Sequence, residues 1–403
     1  MKKLLMATAA TALMAGGALA ESHGGGEIKL GVLLGFTGPI ESTVANMAPA
    51  AHLAMKEVSD SGKLLGGMKV TGIDGDSTCI DSAAATSAAE RMITSDGVKG
   101  IVGGDCSGVT GAVLNNVALP NGIVMISPSA TSPGLSHMND EDKGLFFRTA
   151  PSDARQGVVM SDILMSQGIK EVAVTYTNND YGKGLADAFQ SSYEAAGGTV
   201  TISAAHEDGK ADYSAEVGAL ASAGGDRLVV AGYVDQGGAG IVRAAIDTGA
   251  FETFHFPDGM VSDELGKNFG TDIDGSTGQH PSPSVELVNR FKEVATASGM
   301  DFDPTGPFSP ETYDAAALIM LAMQAAGSAE PGDYKAKVMD VANAPGEKIE
   351  AGQLAKGLEI LAAGGEIDYV GATGVELVGP GEAAGNYREI VIKDGKLETV
   401  GYR

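Results

Sequence analysis

The sequence predicts an α/β protein built from two doubly wound parallel-sheet domains, and three observations carry that expectation. Short apolar runs alternate with segments whose apolar residues recur at i, i+3, i+4 and i+7, from residue 27 to about 148. The same alternation restarts at 171 and continues to about 256. This is the signature of a parallel sheet with covering helices. The length of 403 residues is sufficient for two domains of ordinary size, and no internal repeat of solenoid or propeller period occurs.

The elements follow in order. Residues 27–34 form a strand through Leu30, Val32, Leu33 and Leu34, stopped by Gly35 and Thr37-Gly38-Pro39. Ala51, Ala54, Met55 and Val58 lie on one helical face. Strand 68–73 leaves through the polar stretch DGDSTCID, and a second helix repeats the spacing with Ala85, Ala88, Ala89 and Met92. Ile101 and Val102 close a third strand, and GIVMI at 122–126 is a fourth, running into SPSATSPGL. After Arg148-Thr149-Ala150-Pro151 come strand 171–176, helix 185–196 and strands 199–204, 227–231 and 251–256, with helix 241–248 before the last. GSTGQHPSP at 275–283 reads as a Pro/Gly linker. Helices at 285–297 and 310–326 follow, and the turn-rich tail from 367 ends in a hairpin of 389–392 and 397–400 around Asp394-Gly395.

The first twenty residues, MKKLLMATAATALMAGGALA, join Lys2 and Lys3 to an apolar core and the small-residue motif Ala18-Leu19-Ala20. That is an export signal cleaved after Ala20. No cysteine stands at the cleavage point to carry a lipid, and no later apolar run is long enough to span a bilayer. Basic residues number 27 against 52 acidic, a net charge of −25. Such a balance argues against nucleic acid, which requires a basic surface, and suits solubility. The two cysteines, Cys79 and Cys106, most simply mean one disulfide in an exported chain, closing a loop of about 27 residues and contributing about 3 kcal/mol in the chain-entropy model.

Ligands of open parallel sheets lie beyond the carboxyl ends of the strands. The exit loops 36–41, 105–107, 127–131, 179–181, 233–236 and 257–259 are therefore where a site is expected. In KGIVGGDCSGVTGA at 99–112 a strand stops, turns on Gly103, Gly104 and Asp105, and opens a helix with Ser107 at the cap position. Free N–H groups and the helix dipole favour a small anion there, and the Ser107 hydroxyl adds a hydrogen bond. A plain helix cap is the competing role for Ser107. Catalytic patterns are lacking. Metalloprotease, phosphate-loop and dinucleotide motifs do not occur. Asp105 and Val109 stand where a nucleophile elbow around Ser107 needs glycine. Asp74 and Asp76 open like a calcium loop, but Ala85 falls where a bidentate glutamate is needed. The six histidines show no ligand spacing. No catalytic residue, metal or cofactor is expected.

Taken in order, GVLLGFTGP, DSTC with GGDCSG, MISPSATSP, YTNNDYGKG, AGYVDQGG and ETYDAAALIMLAMQAAG resemble the leucine/isoleucine/valine-type solute-binding proteins of ABC importers, which are type I periplasmic binding proteins. The resemblance spans nearly the whole mature chain. It implies two α/β lobes joined by a three-segment hinge, with 27–148 plus 279–368 in the first and 149–278 plus 369–403 in the second, closing about a ligand. It implies a Cys79–Cys106 disulfide. It places the carboxylate of a bound amino acid on Ser107, with Thr131, Ala130 and backbone N–H groups nearby. The Ser129 carbonyl and Asp258 would take the ammonium, and Tyr181 and Tyr233 would close from the second lobe. An anion then faces N–H groups and hydroxyls, and a cation faces a carboxylate and a carbonyl dipole. Two departures stand out: 40–44 has no aromatic where relatives often carry one, and Asp258 is one methylene shorter than the more usual glutamate.

The resemblance further implies a monomeric protein of the periplasm that delivers a small amino acid of branched-chain type to ABC permease subunits at the inner membrane. The alternative ligand is a small carboxylate such as the 2-hydroxy acid lactate, or an amide. An exported serine hydrolase using Ser107 is the remote alternative.

Overall fold

The computed structural model describes residues 25–138 and 144–403, so the export signal at 1–20 and its cleavage point lie outside the described residues. Five parallel strands open the chain: β1 (Glu27–Leu34), β2 (Lys69–Asp76), β3 (Ile101–Gly103), β4 (Met125–Ser127) and β5 (Phe146–Pro151). Five more form a second sheet: β6 (Glu171–Thr177), β7 (Thr199–His206), β8 (Arg227–Ala231), β9 (Phe254–Phe256) and β10 (Thr277–Pro281). Then β11 (Glu347–Glu350) and β12 (Ile367–Gly371) make a separate two-stranded ribbon. The tail divides. β13 (Leu377–Val378) and β14 (Glu382–Ala383) join the first sheet, and β15 (Tyr387–Lys393) and β16 (Lys396–Tyr402) join the second. The strand orders are β13-β14-β5-β4-β3-β1-β2 and β16-β15-β10-β9-β8-β6-β7.

Each sheet with its helices is one lobe. Covered on both faces, the central strands are apolar almost without interruption, as Leu30 and Val32 to Leu34 in β1 show at no measurable exposure. In the first lobe the Ser309–Ala326 helix is buried from Ser309 to Gln324 and packs against the Glu41–Ser61 helix. A helix apolar all round is a core helix. Among the described residues no helix is long and apolar enough to cross a membrane.

The strand pairings move the boundaries between lobes. Thr149, Ala150 and Pro151 belong to β5, so the first crossing is at 152 rather than 148. Gln279 to Pro281 belong to β10, so the second falls at 282–284, and β13 and β14 delay the third to 384–386. The expected linker at 275–283 is mostly a buried strand, paired in parallel with β9 and antiparallel with β15. Its polar residues Thr277, Gln279 and His280 look like loop in sequence because their burial depends on distant partners. The Asp153–Ser166 helix escaped the periodicity for a related reason: its buried stripe includes Gln156, Gly157 and Ser161. The first crossing is tied to the loop after β4 by Asp153 N–H to the Thr131 carbonyl (2.8 Å), and the second to the third by Ser282 N–H to the Asn386 carbonyl (3.0 Å).

Glu311, in the first turn of the core helix, is 2% exposed, and burial pushes its carboxyl up to about 8. An acid raised on folding contributes fully below its unfolded value and loses that contribution as pH rises through the folded one. Glu311→Gln should therefore be increasingly more stable than wild type between pH 5 and pH 8, read as the gap between melting temperatures. A gap that does not widen with pH contradicts the assignment.

Candidate ligand-binding site

The carboxyl ends of β1, β2, β3 and β4 meet on one buried residue. Asp105, 1% exposed, accepts hydrogen bonds from Gly35 N–H beyond β1 and from Ser77 Oγ beyond β2 (2.7 Å). Its own carbonyl accepts from Ser129 Oγ beyond β4 (3.0 Å). Next to it the expected disulfide is present, joining Cys79 to Cys106 with their Cα atoms 5.1 Å apart. Burial raises the Asp105 carboxyl above the ordinary carboxylate range, and the Ser77 hydroxyl and Gly35 N–H oppose the rise.

Ser107 begins the Ser107–Val113 helix instead of capping it. Cys106 holds the cap position, with no side-chain bond. The Ser107 hydroxyl, 2% exposed, accepts from Ser132 N–H at 3.1 Å and so ties the β3 exit to the β4 exit. The cap reading of Ser107 is thus corrected, because the turn after Gly103 ends one residue sooner than the glycine pattern indicated.

From the second lobe Tyr181, Tyr233 and Asp258 come from three strand exits to one place. Tyr181 and Tyr233 stack with ring centroids 5.2 Å apart. Asn179 caps the Asp180–Ala195 helix through Gly182 N–H (3.0 Å), and its amide donates to Tyr233 Oη (3.3 Å). Tyr181 Oη donates to Asp258 Oδ1 at 2.6 Å, and Gly259 N–H donates to the same oxygen at 2.8 Å. Burial lifts both phenols well above their ordinary value and raises the Asp258 carboxyl, which Tyr181 and Gln156 pull back down. Asp153, at the first crossing, is raised by burial and then by the charge of Asp258.

Between the lobes these groups line a small cavity of about 30 Å³, with Ile40, Thr43, Asp105, Cys106, Ser107, Ser129, Tyr181, Tyr233, Asp258, Gly259 and Phe308 in its wall. Ser107, Ser129, Tyr181, Tyr233 and Asp258 are thereby brought together. Ala130 and Thr131 are not among the lining residues. Ala130 N–H is used by Ser127 Oγ (3.0 Å) and its carbonyl by Arg148 (3.0 Å). Thr131 Oγ1 is buried without a hydrogen-bond partner. Reading the exit loops missed Thr43 and Phe308. Phe308 holds a left-handed backbone (φ 60°) at the start of the core helix, 265 residues beyond Thr43, and nothing local in the sequence marks it.

A cleft between two doubly wound lobes, closed from both sides around hydroxyls and carboxylates, defines a hinged solute-binding protein. The chain belongs to the periplasmic binding protein family, whose model matches residues 27–352, and it is therefore a binding protein rather than an enzyme. It is 30% identical over 322 residues to Leu/Ile/Val-binding protein homolog 1 of Brucella melitensis, covering 78% of this chain and 82% of that one. It is 27% identical over 305 residues to the leucine-, isoleucine-, valine-, threonine- and alanine-binding protein of Pseudomonas aeruginosa, covering 75% and 80%. Its fold is that of the leucine-binding protein LivK of Thermotoga maritima (TM-score 0.76, 22% identity, covering 93% and 98%). A Rhodopseudomonas palustris protein bound to p-hydroxybenzoic acid shares that fold (TM-score 0.73, 19% identity, covering 94% and 97%).

Replacing Asp105 by alanine leaves Gly35 N–H and Ser77 Oγ without their buried acceptor, each loss worth about 1–3 kcal/mol. Asp105→Ala should lower the melting temperature and weaken ligand binding together, and a variant that melts as wild type contradicts the role of Asp105 as the tie between strand exits.

Proposed function

We propose that this protein is the periplasmic solute-binding component of an ABC importer and takes a small amino acid, of the branched-chain or similar aliphatic kind, into the cleft between its lobes. The observation that carries the reading is the charge of the cavity wall. Asp105 and Asp258 line it with five hydroxyl side chains, and among the described residues no lysine, arginine or histidine does. A buried carboxylate needs a positive partner. A ligand with only a negative charge, such as a hydroxy acid, would face these carboxylates unbalanced. An amino acid brings its ammonium to Asp258 and its carboxylate to the Ser107 hydroxyl and the N–H groups at that helix start. Ile40 and Phe308 leave an apolar wall for a side chain. The names of the Brucella and Pseudomonas relatives support the same ligand class.

Thr131, with its unpartnered hydroxyl, stays in the proposed binding set beside Ser129, Tyr181 and Tyr233. Ala130 fits it less well, since its N–H is already committed. The lobes, divided at the three crossings, close about the ligand, and the closed form passes it to permease subunits in the inner membrane. Export with cleavage after Ala20 and action as a monomer complete the proposal.

Calorimetry with matched pairs tests it. L-leucine and L-alanine should bind, and L-lactate should bind far more weakly than L-alanine. Asp258→Asn should cost the amino acids about 3–5 kcal/mol, since it strands a buried ammonium. Ser107→Ala should weaken binding by about one to two decades, the value of a hydrogen bond to a charged group. Ser107→Ala should also lower the melting temperature of the ligand-free protein, because Ser132 N–H loses its acceptor. Lactate binding more tightly than alanine would reverse the assignment of ligand class.

A further inference from the structure

The Glu41–Ser61 helix, the longest in the molecule among the described residues, begins without a side-chain cap of its own. Ile40 occupies the cap position and has nothing to offer an N–H group. The first-turn donors Thr43 N–H and Val44 N–H turn back onto the Ile40 carbonyl (3.0 and 3.1 Å). Ser42 N–H instead donates to Asp235 Oδ2 at 2.9 Å, across 193 residues of sequence and from the opposite lobe. The contact is reciprocal, since Asp235 N–H donates to the Pro39 carbonyl at 3.3 Å. One residue of the second lobe thus serves both a free donor and a free acceptor at the start of a helix in the first.

Both partners stand next to the cavity. Asp235 follows Tyr233 by two residues in the loop after β8, and Ser42 lies between Ile40 and Thr43. All three of those neighbours line the wall. The bonds that cap the helix therefore run between the lobes at the edge of the cavity. We infer that Asp235 is a latch residue that completes the Glu41–Ser61 helix from across the cleft, so that the energy of one helix cap is added to ligand retention without any contact to the ligand. This deepens the proposed binding role and rests on it.

The surroundings of Asp235 set the chemistry of the test. Its own burial disfavours the charge most, Ser42 opposes that by hydrogen bonding, and the charges of Glu264 and Glu41 add repulsion. Asparagine at this position keeps an acceptor oxygen for Ser42 N–H and removes the repulsion from both glutamates. Alanine removes the acceptor. Replacing a capping side chain by alanine is worth about fivefold in an equilibrium constant.

The experiment follows L-leucine binding by stopped-flow tyrosine fluorescence on wild type, Asp235→Ala and Asp235→Asn. Small-angle scattering of the ligand-free proteins runs alongside. Asp235→Ala should raise the dissociation rate about fivefold while the association rate stays within about twofold, because ligand enters the open form and the latch holds the shut form, which the ligand-free protein also samples. Its ligand-free radius of gyration should increase, and Asp235→Asn should return both quantities to wild-type values or beyond. A dissociation rate and radius unchanged in Asp235→Ala overturn the latch. So does a loss that asparagine fails to restore and that comes with a lower ligand-free melting temperature, since that pattern belongs to a role within the second lobe. If L-leucine does not bind the wild type, the ligand-class reading fails, and scattering alone decides the latch: an unchanged radius overturns it.

Discussion

The buried carboxylate of Asp105 holds together what a parallel sheet by itself leaves loose. Strands that run side by side end side by side, but their exit loops have no ladder to pair with, and each carries backbone donors that need partners. Asp105 gathers Gly35 from one exit and Ser77 from another, and its main chain takes Ser129 from a third. The disulfide between Cys79 and Cys106 fastens the same corner covalently. Ser107 follows two residues on, and its hydroxyl accepts from Ser132 N–H farther along the β4 exit. The floor of the cleft is thus rigid before any ligand arrives, and rigid placement is what lets a few polar groups select one.

The second lobe uses a different device. Tyr181, Tyr233 and Asp258 support one another through a stack and a shared carboxylate oxygen, with Gly259 N–H on the same atom. Gly259 has room for no side chain here: a Cβ would lie 2.7 Å from both the Gly232 carbonyl and Tyr181 Oη. Gly182 is similarly confined by the Thr177 carbonyl at 2.2 Å, which lets the helix bearing Tyr181 start hard against the end of β6. The two halves of the cavity are therefore assembled independently, each by hydrogen bonds within its own lobe. Closure brings together two finished surfaces, and the Ser42–Asp235 contact adds a bond that neither lobe has alone.

Burial also explains why acidic groups crowd the interlobe region without collapsing it. Arg148, almost wholly buried, spends its guanidinium on the Ala130 and Ser132 carbonyls, on Ser136 and on Glu382. That arrangement fixes the loop before the first crossing, and it leaves Asp153 and Asp258 to be held by amides and a phenol. Carboxylates held by neutral donors keep a demand for positive charge that a salt bridge would have satisfied.

Read alone, the sequence determined the alternation of strands and helices, the two-lobed α/β class, the cysteine pair and the loops that face the cleft. Apolar periodicity and glycine stops report on a segment's own neighbours, and in β1, β6, β8 and the final hairpin those neighbours settle the outcome. Ser107 was marked by its strand exit, and Tyr181, Tyr233 and Asp258 by the resemblance of the motifs around them; all four line the cavity. The tertiary structure alone decided what depends on distant partners. Thr277, Gln279 and His280 became strand because β9 and β15 flank them on both sides. The Asp153–Ser166 helix buries Gln156 against the Asp258 loop, so polar residues share its inner face with Val159, Met160, Ile163 and Leu164 and blur the apolar stripe. Phe308 reaches the cavity from the start of the core helix, and Asp235 caps a helix whose sequence holds no cap. In each case the deciding energy is a hydrogen bond or a packed surface between residues far apart in the chain, which no local pattern can encode.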